Sequence, residues 1–546
     1  MSQVRLTELI VLVLAVGAVT LLGLLARRWR RPATLSRLDE WGLGGRQYGS
    51  WVSWFVLGAT LFTGYAFIAA PALAFDDGAS AFHLLPYLIV AFPLMMLPLV
   101  RLWSVSRARG YLTAADFVRG RYGSPLLTHL VSITGLIATV PLLALQFVAI
   151  EAVTRVVGFN QSGVVGHLPL LLPFALLVVL TQRSGLRAPA LMSFVKVVLG
   201  FLVVFVAVLY LPIKLDGWAE IFSAVGAKFT SSPAGSDGLL VAPADQLHYA
   251  TLALGSALAL FLYPHAITGV LACRNRDVVK RNMAGLPAFT MLLAVLMLLG
   301  YAAIAAGVVP LVNGGTGQPD AGTVIPLLFA DQSPAWFAGL AFATITISAL
   351  VPAAVLAIGA ANLWARSIYR HYLRRGATPE QETKQARTAA AVALLAGLLL
   401  AVVLDPAIAY DLQLAGGVLI LQTLPAVLIP LYGRWLHVHG LVLGWFAGVS
   451  YALFLLHDIV DPDTGRRFAG TAYPVSELQL LGSRPFAGSA MTVYAGLVAL
   501  LFNLAVAVLV SLVVRVVRIR NGRDETRPPD YEADAYDPAM RPVGVP

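Results

Sequence analysis

Lys196 stands in PALMSFVKVVLGFLVVFVAVLY, an apolar run long enough to cross a bilayer and carrying no other charge. An ionisable group in hydrocarbon costs roughly 2.5–3.5 kcal/mol even on a lenient insertion scale, so such residues usually mark an ion or substrate path. A lysine near a helix end can snorkel to the headgroups. Lys196, however, lies nine residues beyond Arg187, about 13 Å along a helix at 1.5 Å per residue. That depth is near the midplane of a core about 30 Å thick. The chemistry open to it is proton carriage along an ion path; the structural alternative is a buried pair.

Two further stretches break apolar spans where a helix prefers no break. GATLFTG brackets five residues with Gly58 and Gly64, and Pro71 follows; YPHAITG puts Pro264 and Gly269 in mid-span. Glycine and proline free backbone groups that hydrocarbon does not satisfy, so irregular backbone at this depth lines a protein-enclosed or watery cavity; a simple kink is the bland reading. Polar groups cluster at or near these breaks: Thr60, Thr63, Tyr65, Gln146, Tyr263 and Thr268. Together with backbone N–H groups at broken-helix N-termini, as at Gly64, they suit hydrogen bonding to a carboxylate. Gln422 is a further polar candidate of this kind. His265, nine residues before Arg274, should sit at a depth similar to that of Lys196. It is a proton carrier or substrate ligand by its titration range, or a packing histidine. Glu151 and Arg155 read as a vestibule pair or a solvated face, and Asp116 as a structural residue, an N-cap.

The elements that must position these groups are membrane helices. The chain has 546 residues, 58% hydrophobic and 12% charged, which excludes a soluble globular protein and indicates an all-α, polytopic membrane protein. Apolar windows give thirteen spans, near 6–26, 50–75, 80–104, 125–156, 167–182, 187–213, 247–272, 284–310, 334–370, 386–404, 410–432, 438–457 and 492–517. Of 38 Lys and Arg, thirty fall in alternate loops, seven on the other side, and Lys196 on neither. The positive-inside rule then puts the N-terminus outside and the C-terminus in the cytoplasm. An odd number of spans requires the same. The net charge of +10 is therefore topological, and a nucleic-acid partner is not expected. Arg27, Arg28, Arg30 and Arg31 follow the first span without a small-residue cleavage site, as in an uncleaved anchor.

The two breaks fall in spans five apart, which enter the membrane from opposite faces. Corresponding interruptions in two inverted halves point to a transporter's binding site. The expected organisation is a peripheral helix and loop (1–49), a first five-helix repeat (50–213), an outer loop (214–246), a second five-helix repeat (247–435), two peripheral helices (436–517) and a disordered cytoplasmic tail (518–546). Outer loops 214–246, 311–333 and 458–491 have the composition for short surface helices. With Cys273 as the single cysteine, no intramolecular disulfide or thiolate metal cluster is possible. The chain carries no GxxxxGK loop, HExxH or nucleophile elbow, so no enzyme is expected. No strong assembly motif fixes an oligomeric state.

WGLGGRQYG, GATLFTGYAF, ADFVRGRYG, YPHAITGVLACRNRD, SALVPAAVLAIGAANLWARSIYR and LQTLPAVLIPLYGR, in this order across residues 41–435, resemble the sodium/solute symporter family. That resemblance implies the inverted five-plus-five fold of the leucine-transporter type in a bacterial plasma membrane. The ALVPAAV and AANLWARSIY stretches are similar to the monocarboxylate permease branch, implying a small organic anion such as acetate, propionate, pyruvate or lactate as substrate. It also implies a sodium site made by the carbonyls of Ala59 and Phe62, the carbonyl of Ser348 and two hydroxyls, which map to Val351 and Pro352. Neither supplies a side-chain oxygen, and a hard cation needs several. The family's polar positions on the sixth span map to Ser193 and Lys196. The resulting expectation is a symporter with no cofactor, in which Lys196 replaces the sodium charge, holding the second and ninth spans together when protonated and releasing them when neutral. Alternatives are sodium coupling through other oxygens (Thr344, Ser348, Thr60) and a sensory module of the same fold; the lack of a relay domain after residue 517 argues against a fused sensor.

Overall fold

A computed structural model describes the chain apart from residues 1–3, 30–33, 160–162, 231–237, 313–316, 405, 461–464, 479–485, 487 and 535–546 and the side chains of Tyr65, Val164, Ala407 and Tyr410. After α1 (Leu6–Leu25), the broken second span appears as α2 (Ser50–Leu61) and α3 (Gly64–Asp77). Between them Phe62 leaves helical geometry at φ −90°, ψ 80°. Gly78, with φ +58°, opens the turn into α4 (Leu84–Arg109), followed by the short α5 (Ala114–Tyr122), α6 (Pro125–Val157), α7 (Leu171–Ser184) and α8 (Arg187–Lys214). The second half begins with α9 (Gln246–Leu260) and α10 (Pro264–Leu271), bent by 52° at the predicted break. Proline at the first position of α10 suits a helix start, because its missing N–H is not needed there. Then come α11 (Arg276–Gly285), α12 (Ala288–Ala305), α13 (Ala335–Leu363), α14 (Pro379–Val403), α15 (Pro406–Leu421), α16 (Leu424–Val427), α17 (Val438–Asp458) and α18 (Ala495–Val516).

Among the described residues ten helices are long and apolar enough to cross a membrane, or twelve when each bent pair counts as one span. The expected thirteen requires dividing Ala66–Arg109, a run of 44 residues. At 1.5 Å per residue such a run is about twice as long as the hydrocarbon is thick, and Gly78 is the natural point of division. α13 lies at the centre. Every residue of its apolar window is buried, and it packs against α1, α3, α6, α8, α10 and α14. Alanine and glycine dominate it, and small residues let membrane helices approach closely. The loops expected to lie outside carry Trp218–Thr230, Val324–Gln332 and two short antiparallel ribbons.

Three local expectations change. Thr113 caps α5, its side chain accepting from Asp116 N at 3.1 Å. Asp116 instead accepts from Leu112 N (2.9 Å) and pairs with Arg366 at 3.2 Å. Burial alone would raise its carboxyl, yet Arg366 and His371 hold it below its usual range. Glu151 and Arg155 do not pair with each other. Arg155 pairs with Asp320, and Glu151 faces His167 at 3.1 Å. Finally, residues 518–534, read as part of a disordered tail, fold back onto the basic face. Asp524 meets buried Arg121 at 2.5 Å, Asp530 meets Arg109 at 2.6 Å, and Tyr531 is buried. Low hydropathy hid this docking, which relies on charge pairing to arginines at the end of α4 and on α5.

Candidate substrate and ion site

The ammonium of Lys196 donates to the carbonyl oxygens of both Ala59 and Phe62. Phe62 is the break residue, and the α2 end leaves carbonyls without intrahelical partners; the lysine supplies two of them with a cationic donor. Its position is set from the basic face. Arg187, at the start of α8, is buried and bound to Glu40 through a 2.5 Å ion pair and a 2.6 Å bond to the Glu40 carbonyl. α8 packs on α2 and α13, leaving Lys196 only 2% exposed. Ser193 donates to Ala190 O one turn back, so its hydroxyl is satisfied within α8.

On the far side of the break, Gly64 N donates to Gln146 Oε1 at 3.0 Å, while Gln146 Nε2 donates to Leu142 O at 2.9 Å. The amide thus bridges α6 to the N-terminus of α3. Gly64 is required by crowding. A Cβ there would lie 2.7 Å from Ala149 Cβ and 3.0 Å from Ala349 Cβ. Thr60 donates to Leu57 O (2.7 Å) and Thr344 to Leu340 O (2.8 Å), committing both hydroxyl protons to their own helices. Ser348 Oγ is buried without a hydrogen-bond partner among the described residues. Val351 and Pro352 are buried and bring no side-chain oxygen. Thr63 has a partner of its own, and the side chain of Tyr65 lies outside the described residues.

The second break sits close by. Leu57 of α2 touches the face of Gly269, where a Cβ would lie 2.6 Å away, and Gly359 of α13 approaches the His265 backbone so closely that a Cβ would be 2.7 Å from its nitrogen. Tyr263 and His265 have ring centroids 5.6 Å apart. Tyr263 OH and His265 Nδ1 are both buried without hydrogen-bond partners among the described residues. Thr268, Pro264, Gly135 and Gly359 line a cavity of about 20 Å³, room for one water rather than a carboxylate. Gln422 belongs elsewhere: Asn503 of α18 donates to its carbonyl and its side chain.

This pairing of two broken helices around one buried helix is the arrangement that the motifs imply, and comparison with known proteins decides the family. The sodium:solute symporter family profile matches residues 41–448. The chain belongs to that family. It is a transporter, a multi-pass membrane symporter, and not an enzyme. A protein of Rhizobium johnstonii named a monocarboxylate transport permease is 42% identical over 505 residues, 92% of this chain and 96% of that one. An uncharacterized symporter of Bacillus subtilis is 30% identical over 82% of this chain and 87% of its own. A solved structure of a Na+-coupled sialic acid symporter, substrate-bound and outward-open, superposes with a TM-score of 0.71 at 16% identity, covering 95% of this chain and 99% of that one. This establishes the leucine-transporter-type fold for the symporter.

Sequence reading missed one group. Tyr494, at the start of α18, is buried, and its hydroxyl converges with that of Tyr263 on Gly417, where a Cβ would lie 3.8 Å and 3.7 Å from them. No spacing in the sequence links residues 263, 417 and 494. Only the packing of α18 against α9 and α15 brings them together.

Proposed function

We propose that this symporter imports a small monocarboxylate by alternating access, coupled to protons through Lys196. The carrying observation is that the Lys196 ammonium donates to both carbonyls of the first break. Those are the oxygens that family resemblance assigns to sodium, and Val351 and Pro352 add none. Both of its bonds go to the first break and none to α13, so when protonated the lysine holds α2 against α8 rather than the second span against the ninth as expected. When neutral, it loses about half of its hold on the two carbonyls, because charge-assisted bonds are roughly twice as strong as neutral ones. Proton loss and release of the break are therefore one event.

The substrate sits between the breaks, where the N-termini of α3 and α10 present positive dipole ends to a carboxylate and the unpartnered Tyr263 OH and His265 Nδ1 offer hydrogen bonds. The Rhizobium relative's name supports a monocarboxylate. The small cavity beside the second break requires the helices to part before substrate enters. The basic face is cytoplasmic, which puts the N-terminus outside a bacterial plasma membrane and the C-terminus inside.

One observation favours sodium instead: Ser348 Oγ is a buried oxygen without a partner among the described residues. The test is uptake of labelled acetate or pyruvate into proteoliposomes under an inward proton gradient with sodium absent. Accumulation under those conditions is expected. Accumulation that follows a sodium gradient and ignores pH would overturn proton coupling, and transport of neither acid would overturn the substrate class.

A further inference from the structure

Away from the transport path, the basic face carries a cleft of about 810 Å³ between the end of α1, the last turn of α7 and the first turns of α14. Arg27, Arg183, Lys384 and Arg387 line it against a single carboxylate, Glu380. Among the described residues none of these four cations makes an ion pair. Arg387 is partly committed, with Nη2 donating to Leu35 O at 3.0 Å, but its Nε is a buried donor without a partner among the described residues. The cleft also has fixed walls. Gln182 donates to Arg387 O at 2.7 Å and Thr383 to Ser36 O at 2.9 Å, tying α7 and the loop before residue 38 to α14.

The three helices that meet here leave apolar side chains uncovered directly beside the cleft. On α14, Val392, Leu395 and Leu399 are exposed, as are Leu21 and Leu25 on α1 and Val179 on α7. From Arg387 to Leu399 is twelve residues, about 18 Å along a helix, roughly an acyl chain's length of apolar surface leading away from clustered cations. We propose that this cleft binds the phosphate-bearing headgroup of an anionic phospholipid, with its acyl chains along α14 and α7. Free phosphate shares the headgroup chemistry but gives no role to the apolar faces. Basic pockets between membrane helices at the bilayer surface suit such headgroups.

The test uses the full-length protein in detergent, with fluorescently labelled phosphatidylglycerol and phosphatidylcholine as probes and inorganic phosphate as competitor. Each surface cation near an anionic lipid contributes about fivefold in affinity. The double variant Arg183→Gln, Lys384→Gln should therefore bind phosphatidylglycerol about 25-fold more weakly while leaving phosphatidylcholine unchanged. Both side chains are exposed, so the fold should tolerate the change, which a thermal melt checks. Equal binding of the two lipids by the natural protein, or unchanged phosphatidylglycerol binding by the variant, overturns the proposal. So does full displacement of the lipid by millimolar phosphate, which would assign the cleft to the free anion.

Discussion

At the scale of single residues, the site divides into groups that hold the breaks and groups left free for cargo. Gln146 is of the first kind, because both ends of its amide are engaged at 2.9–3.0 Å. Gln146→Leu strands the Gly64 N–H where water does not reach it, a loss of about 1–3 kcal/mol. Thermal unfolding in detergent should register it; an unchanged melt would mean that the bond contributes nothing. Tyr263 is of the second kind, its hydroxyl buried and without a hydrogen-bond partner among the described residues. Tyr263→Phe should raise KM for the transported acid roughly tenfold or more, as expected for one hydrogen bond to a charged group worth about 1.5–3 kcal/mol, with little change in stability. An unaltered KM would remove Tyr263 from the substrate site. Lys196 and both breaks were legible in the sequence because charge, glycine and proline in hydrocarbon are costly and conspicuous. Tyr494 was not, because tyrosine at the start of a membrane helix ordinarily marks the interface and its convergence with Tyr263 is a property of packing.

At the scale of elements, α13 is what makes two broken helices into one site. Its small side chains allow Ala349 to sit against Gly64 and Gly359 against the first turn of α10. Gly359→Ala would place a Cβ 2.7–2.9 Å from His265 N and Cα and Pro264 C, all backbone atoms with no rotamer to yield. Overpacking of this kind costs about 1–3 kcal/mol. Gly17→Ala is the matched control, since nothing lies within 4 Å of its added Cβ. Lowered thermal stability and transport are expected for the first and neither for the second; equal behaviour would mean that the contact is slack. Apolar windows revealed the helices themselves and also where Ala66–Arg109 divides, since Asp76, Asp77 and Gly78 interrupt the apolar run between the spans near 50–75 and 80–104, and the backbone turns there at Gly78 between α3 and α4.

At the scale of the whole molecule, the basic face is more ordered than its composition suggested. Residues 518–534 strap α4, α5 and α11 through Asp530, Asp524 and Glu532, the last accepting from Arg276 through its carbonyl. Asp524→Asn should lower stability by about 1.5–3 kcal/mol, the worth of a hydrogen bond to a charged group; a disordered tail would show no change in the melt. The sequence could not foresee the strap, because its partners are distant arginines rather than a hydrophobic face. The account as a whole rests on one substitution of charge, an ammonium where relatives are expected to hold sodium. Its most direct test is Lys196→Met in proteoliposomes, comparing uptake driven by a proton gradient with exchange of internal for external substrate. Loss of concentrative uptake with exchange retained is the predicted result, and near-normal proton-driven accumulation by the variant would contradict it.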